Sequence, residues 1–152
     1  MKIKKARLEE IEGRDKHLIS FRKGILGFED DKQYVLLPAD ETGESPFFFL
    51  QSAENAEVRF LLLDAFSFFQ GYDVRLEEAV IEKLEIEQPE DVLVLTTVTA
   101  QGDLHQATTN LKAPLVINLK KQMGMQIVLD RKHYKIKQPL FERNQKAVIG
   151  QV

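Results

Sequence analysis

The feature that most constrains this chain is a series of short apolar runs, each too short for a typical helix and separated by polar, glycine-bearing segments. Branched and aromatic residues dominate these runs, which lie at residues 17–21, 34–37, 47–50, 58–63 and 92–98. Runs of this length and composition are typical of β-strands. Few helical patterns lie between them, which argues against alternating strands and helices. The spacing therefore predicts a mainly β chain that folds as a barrel or a sandwich.

One segment has the periodicity of a helix. Apolar residues recur there at helical spacing, at Leu76, Ala79, Val80 and Leu84. Glu77 and Glu78 fall in the first turn, where the helix dipole favours carboxylates, and Pro89 ends any helix before it. The pattern predicts one short acidic helix. A second cluster, FSFF at residues 66–69, cannot bury every ring as a strand, so it predicts a compact turn with rings on two sides.

Residues 109–118, TNLKAPLVIN, join two asparagines and a proline to a run of branched residues. Proline lacks an N–H and has a fixed φ, so Pro114 is expected at a strand start or on a sheet edge. Residues 115–119 predict a strand, and residues 125–129 predict its hairpin partner. The segment holds no nucleophile, acid–base pair or set of metal ligands, and it therefore indicates a surface that binds something.

Composition bounds the class of protein. The chain has 152 residues, 43% of them hydrophobic and 30% charged, which fits a single globular domain. We expect this domain to span residues 1–143, followed by a polar, mobile tail at residues 144–152. The chain has no cysteine, which excludes disulfides and thiol chemistry. No apolar segment follows Met1, which predicts neither a signal peptide nor a membrane span, and hence a cytoplasmic protein.

The net charge of −3 is unevenly distributed. Residues 1–110 hold 12 Lys and Arg against 22 Asp and Glu, whereas residues 111–152 hold 9 against 2. Two faces with different partners would give this split, and so would an ordinary solvated surface.

Candidate catalytic and metal-binding groups are few. His17, His105 and His133 lack the spacing of metal ligands, and no cysteine is present to complete a zinc site. The serines lack the flanking glycines of a nucleophile elbow, and residues 24–27 lack the lysine of a phosphate-binding loop. Glutamates on a helix are more often solvated than paired for acid–base catalysis. The sequence predicts a protein that is not an enzyme and needs no metal or cofactor.

Four blocks of sequence, in order, resemble the FliW family of bacterial flagellar assembly factors. The first three are FRKGILGFE at residues 21–29, PFFFLQS at 46–52 and the acidic, proline-containing stretch at 84–92. The fourth is TNLKAPLVIN at 109–118 with GMQIVL at 124–129. The blocks extend over most of the chain, and the resemblance implies a compact, single-domain β-barrel-like fold.

The resemblance also implies two protein partners, flagellin and the translational regulator CsrA, bound in alternation. Protein freed of flagellin would capture CsrA and relieve its repression of flagellin synthesis, without a cofactor and without direct contact with nucleic acid or membrane. A negative surface attracts a basic RNA-binding protein. We therefore expect the CsrA contact on the acidic helix and its exit, at Glu77, Glu78, Glu82, Glu85 and Glu87.

Phenylalanines supply the candidate contact for flagellin, because a holder of amphipathic helices should offer them an apolar groove. We expect this contact at Phe47, Phe49, Phe68 and Phe69, if any of these rings is exposed. Rings buried in the core are the commoner case.

Other interpretations stay open at this point. In the signature loop, formed by Asn110, Pro114 and Asn118, the amides either hydrogen-bond the backbone or present themselves to a partner. A second class of function is direct RNA binding through the basic residues 132–137, with Tyr134 stacking on a base. A third class is a small-ligand-binding β-barrel with a deep apolar pocket.

Overall fold

The computed structural model describes residues 2–3 and 17–141, which form short strands joined by turns and short helices. The strands are β1 (Lys2–Ile3), β2 (His17–Phe21), β3 (Gln33–Pro38), β4 (Phe47–Ser52), β5 (Arg59–Leu63), β6 (Val74–Arg75), β7 (Val92–Thr99), β8 (Thr108–Thr109), β9 (Leu115–Asn118), β10 (Met123–Gln126) and β11 (Gln138–Pro139). The α-helices are α1 (Ala65–Phe68) and α2 (Glu78–Lys83). Single 3-10 turns lie at Pro89–Asp91 and Leu104–Gln106.

Seven of these strands close into a ring in the order β7-β5-β4-β3-β2-β10-β9, and β7 pairs with β9 to complete it. A ring with an odd number of strands cannot be antiparallel at every junction. The single parallel junction in this ring is between β2 and β10, whereas all the other neighbours run antiparallel. The predicted mainly β, barrel-like fold is confirmed.

Large apolar side chains fill the interior of the ring. The fully buried members include Ile19, Phe21, Tyr34, Leu36, Phe48, Leu50, Leu62, Leu93, Leu95, Leu115 and Ile117. Packing is tight enough that a Cβ on Gly124 would lie 2.6 Å from the Phe21 ring, so this position of β10 requires glycine. The interior is thus a packed core, which does not favour the small-ligand-binding barrel.

A second apolar layer covers the outside of β7 and β9. Val92, Val94 and Val116 face outward and pack against residues of β6, α2 and their connections, including Val74 and Leu84. Because β7 and β9 are covered on both faces, their residues form continuous apolar runs with little alternation.

The predicted strands at residues 17–21, 34–37, 47–50, 58–63 and 92–98 correspond to β2, β3, β4, β5 and β7. The predicted acidic helix is α2, although Ala79 on its expected apolar face is exposed and Ile81 is half-buried in its place. The compact turn predicted at residues 66–69 is α1, with Phe66 packed in the second layer and Phe68 on the opposite side against Leu63. The predicted tail at residues 144–152 lies outside the described residues.

The predicted hairpin partner at residues 125–129 was wrong in its bounds, because β10 starts at Met123 and ends at Gln126. The Asn118 side chain tightens the turn between β9 and β10 by accepting the N–H groups of Lys120 and Lys121 at 3.0 and 3.2 Å. The pairing strand therefore begins two residues earlier than its apolar pattern indicates.

Candidate functional site

The signature loop organises the approach to β9. Asn110 Oδ1 accepts the backbone N–H groups of Lys112 and Ala113, both at 3.0 Å, and this bends the chain ahead of the strand. Pro114 directly precedes β9, as predicted for a residue that lacks an N–H. Its carbonyl accepts the Ile127 N–H at 3.0 Å, so the loop also continues the pairing with the chain beyond β10.

The second asparagine connects two distant segments. Asn118 is 1% exposed, and its Nδ2 donates to the carbonyl oxygens of Leu84 at 2.7 Å and Glu85 at 3.2 Å. Its Oδ1 accepts from Lys120 and Lys121 in the turn after β9. One buried amide therefore holds both the β9–β10 turn and the end of α2.

The end of α2 has the bonding of a Schellman motif. The Ile86 N–H donates to the Ile81 carbonyl at 2.9 Å, and the Glu85 N–H donates to the Glu82 carbonyl at 3.1 Å. Glu85 takes the position that usually carries glycine, with φ +53°. The side chain of Asn118 stabilises this left-handed turn by binding carbonyl groups at its centre.

The acidic surface consists of Glu77, Glu78, Glu82, Glu85 and Glu87, all exposed. Two of these carboxylates already have lysine partners from the β9–β10 turn. Glu87 lies 3.4 Å from Lys120, and Glu85 lies 3.8 Å from Lys121. Within residues 2–3 and 17–141, the other three carboxylates form no ion pair. The basic C-terminal third of the chain thus meets the acidic helix here, and the two charge classes are interspersed.

The aromatic surface consists of Phe47, Phe49, Phe68 and Phe69, all half-buried. Phe68 lies at its centre, with its ring centroid 5.9 Å from that of Phe47 and 6.2 Å from that of Phe69. A further ring, that of Phe141, lies 6.0 Å from Phe68 and is 39% exposed. Phe47, Phe68 and Phe69 pack on Leu63 and Leu140 and stay partly exposed.

Two local features fix the positions of these rings. The Asp64 side chain caps α1 by accepting the Phe66 N–H at 3.2 Å and the Ser67 hydroxyl at 3.0 Å, which sets the orientation of Phe68. Phe49 lies apart from the other rings, and the Arg59 guanidinium sits 3.8 Å from the centroid of its ring. The structure therefore brings three of the four predicted rings together, with Phe49 two residues along the same strand face.

The structure contradicts the proposed base-stacking role of Tyr134. Its ring is 7% exposed and packs 5.0 Å from that of Tyr72. Its hydroxyl accepts the Asp73 N–H at 2.8 Å. A base has no access to this ring, so the aromatic part of the RNA-binding hypothesis was wrong. The lysines around it point outward as solvated charges.

Buried hydroxyls account for the marked pKa shifts. Burial raises the pKa of Tyr34 to about 12, and the nearby carboxylates of Asp31 and Glu54 add to the shift. Burial also raises the pKa of Tyr72, whose hydroxyl donates to the Leu111 carbonyl at 2.9 Å. A raised tyrosine pKa keeps the hydroxyl neutral, which suits a structural role better than that of a nucleophile.

The described residues show neither a metal cluster nor a spanning helix. No group of three or more His, Asp or Glu side chains among them lies close enough together to hold a metal ion. None of the helices that they form is long and apolar enough to cross a membrane.

Sequence reasoning missed several residues of these surfaces. Phe141 was overlooked because it lies at the start of a polar segment, although a lone aromatic residue there was a usable signal. Lys120 and Lys121 were not connected with the acidic helix, because no local pattern reports a contact across more than thirty residues.

Comparisons with known proteins agree over most of the chain. A family model described as FliW protein matches residues 2–140. The flagellar assembly factor FliW of Clostridium beijerinckii is 42% identical over 131 residues, which cover 86% of this chain and 92% of that protein. The protein of the same name from Geobacillus kaustophilus is 38% identical over 132 residues, covering 87% and 90% of the two chains. A crystal structure of the flagellar assembly factor FliW aligns with a TM-score of 0.76 at 37% identity, covering 88% of this chain and 92% of that one.

Proposed function

The chain belongs to the FliW family of flagellar assembly factors, and from this premise we propose that it holds flagellin in the cytoplasm and, when free, binds and antagonises the translational regulator CsrA. Both roles are non-enzymatic and depend on protein–protein contacts. Loss of flagellin to export would free the protein, and capture of CsrA would then relieve repression of flagellin synthesis.

The observation that carries this proposal is the presence of two chemically different surfaces on different segments of the chain. The aromatic surface is built on β4, α1 and the chain that follows α1. The acidic surface lies on α2 and the residues next to it, and α2 packs over β7, β9 and β10. Two partners of different chemistry fit such a pair of surfaces better than one partner does.

The aromatic surface suits flagellin. Amphipathic helices of a filament subunit expose an apolar stripe before assembly, and half-buried rings around Phe68 offer a matching apolar contact. None of the four rings is fully buried, so each has area left to contribute to an interface.

The acidic surface suits a basic partner. Glu78 and Glu82 lie one turn apart on α2, are exposed and form no ion pair with other described residues. Carboxylates in this setting attract a cationic protein over a distance and disfavour the phosphates of its RNA.

The test reverses Glu78 and Glu82 to lysine and measures association with purified CsrA and with flagellin. Glu85 is left unchanged because it occupies a left-handed backbone position and pairs with Lys121. The control reverses Glu41 and Glu44, two exposed glutamates between β3 and β4, and so changes the net charge equally.

We expect the α2 reversal to slow CsrA association by at least about fivefold at low salt and to flatten its salt dependence, because rim charges act mainly on the on-rate. Flagellin binding should be retained, and the control should resemble the unaltered protein. If the control variant slows CsrA association equally, the effect of the α2 reversal is due to net charge and not to the acidic surface. Unchanged CsrA association would remove the acidic surface from the proposal.

A further inference from the structure

The parallel junction of the ring contains a wedge. β2 and β10 pair at only two positions, Ser20 with Met123 and Phe21 with Gly124. β2 then turns away at Gly24, whose φ is +69° and whose N–H donates to the Phe21 carbonyl at 2.9 Å. The chain of β10 continues past Gln126 and stays paired with Pro114 and Lys112. A cavity of about 280 Å³ opens where the two strands diverge.

One wall of this wedge is an unpaired strand edge. The N–H groups of Ile127 and Leu129 donate to the carbonyls of Pro114 and Lys112 at 3.0 and 2.7 Å, so the odd-numbered residues bond toward the β9 side. The backbone groups of Gln126 and Val128 must then point the opposite way, as alternate residues of a strand do. In the part of the chain that the structure describes, these groups have no backbone partner, and the Val128 side chain is 74% exposed.

The rest of the wedge combines an apolar floor with a cationic rim. Leu84, Met123 and Met125 line the floor, and methionine side chains adapt to partners of varied shape. Arg22, Lys23 and Lys83 line the rim. All three cations are exposed, and none forms an ion pair with another described residue.

The mouth of the wedge has a further apolar residue beside it. The Leu26 N–H donates to Gln126 Oε1 at 3.0 Å, which ties the turn after β2 to the open edge. The Leu26 side chain is 79% exposed beside this edge. The cavity therefore combines an apolar floor with a cationic rim, and it adjoins a strand edge that starts at Gln126 and an exposed leucine.

We propose that this wedge docks an extended, acidic segment of a partner protein. The segment adds a strand to the edge at Gln126 and Val128, and one of its apolar side chains enters the cavity over Met123 and Met125. Its carboxylates face the cationic rim. Addition of a strand gives affinity through the backbone, and the pocket and rim give specificity. The charge of the rim, opposite in sign to that of the chain as a whole, selects an acidic occupant. The proposal is independent of the flagellin and CsrA assignments, since it involves neither the aromatic surface nor the carboxylates of the acidic surface.

The test titrates the isotope-labelled full chain with a capped octapeptide of alternating glutamate and leucine, followed by backbone amide NMR. The matched peptide carries lysine in place of glutamate. We expect saturable shifts at residues 22–24 and 124–128, with the acidic peptide binding at least about tenfold tighter, a difference of about 1.4 kcal/mol. Equal binding of the two peptides, or shifts confined to the aromatic surface, would overturn the proposal.

Two further measurements separate strand addition from simple charge attraction. Val128→Pro removes an N–H that faces the open side and should abolish binding, whereas Val128→Ala keeps that N–H and should bind like the unaltered chain. Two acidic peptides, one N-methylated on its odd-numbered amides and the other on its even-numbered amides, probe the same bonds without altering the protein. One of the two should fail to bind, because only one set of N–H groups faces the edge. Retained binding by both methylated peptides would exclude strand addition. Dimerisation of the unliganded chain that is lost in Val128→Pro would show that a second copy occupies the edge, which would also overturn the proposal.

Discussion

The aromatic surface and the acidic surface are built in opposite ways. Three rings of the aromatic surface, those of Phe47, Phe68 and Phe69, are half-buried and pack on Leu63 and Leu140, so the groups offered to a partner are also part of the fold. Carboxylates of the acidic surface project into solvent, and their position depends on a residue outside the surface, Asn118. Substitutions in the first surface should therefore change stability and binding together, whereas substitutions in the second should separate them.

The largest effect is expected from Asn118→Ala. It leaves two carbonyls at the end of α2 and two N–H groups of the next turn without their partner. We expect a loss of about 3 kcal/mol in the free energy of unfolding, measured by urea denaturation. Asn110→Ala, which frees only two N–H groups in a half-buried bend, should cost about 1 kcal/mol. Equal and small losses would mean that the acidic surface does not depend on this amide. Unchanged stability with lost partner binding would make the amides recognition groups.

Phe68→Ala should have the next largest effect. Removal of a half-buried ring should lower the free energy of unfolding by about 2 kcal/mol and weaken flagellin binding in the same variant. Phe28→Ala is the control, because Phe28 is another ring with solvent exposure, 41% exposed, and it packs on Phe60 and not on the rings of the aromatic surface. The Phe28→Ala control should lower the free energy of unfolding and leave flagellin binding unchanged. Loss of flagellin binding by both variants would attribute the effect to general destabilisation.

The smallest effect is expected from Glu85→Gly. Glycine adopts a φ of +53° without strain, so the free energy of unfolding should rise by about 0.5–1 kcal/mol even though the ion pair with Lys121 is lost. Thermal unfolding should show a higher midpoint, and CsrA association should slow only slightly. A fall in stability would mean that the exposed ion pair outweighs the backbone strain, and that the carboxylates take part in the fold after all.

The sequence predicted most of the elements that rest on local patterns. Short runs of branched and aromatic residues identified the five longest strands of the ring, and the missing N–H of Pro114 located the start of β9. The first strand of the ring and the last meet by a parallel junction that no local pattern reports, because its register depends on closure of the whole ring.

Prediction of the candidate site was less complete, since its parts come from distant segments. The glutamates and phenylalanines were identifiable as residue types, but the bond between Asn118 and Leu84 joins residues that are 34 positions apart. The left-handed backbone at Glu85 was not predictable either, because glutamate is an unusual residue at that position. Side chains that act over long sequence distances determine the geometry of both surfaces.

The parallel junction also affects the order in which strands can pair during synthesis of the chain. Strands β2, β3, β4 and β5 are neighbours both in sequence and in space, so they can pair as they leave the ribosome. The partner of β2 on its other side is β10, about a hundred residues later, and loop closure over that distance makes late contacts slow. Until residues 115–126 have been synthesised, the edge of β2 stays open as a template for other strands. We therefore expect the nascent chain to be most prone to aggregation while β5 is complete and β10 is not.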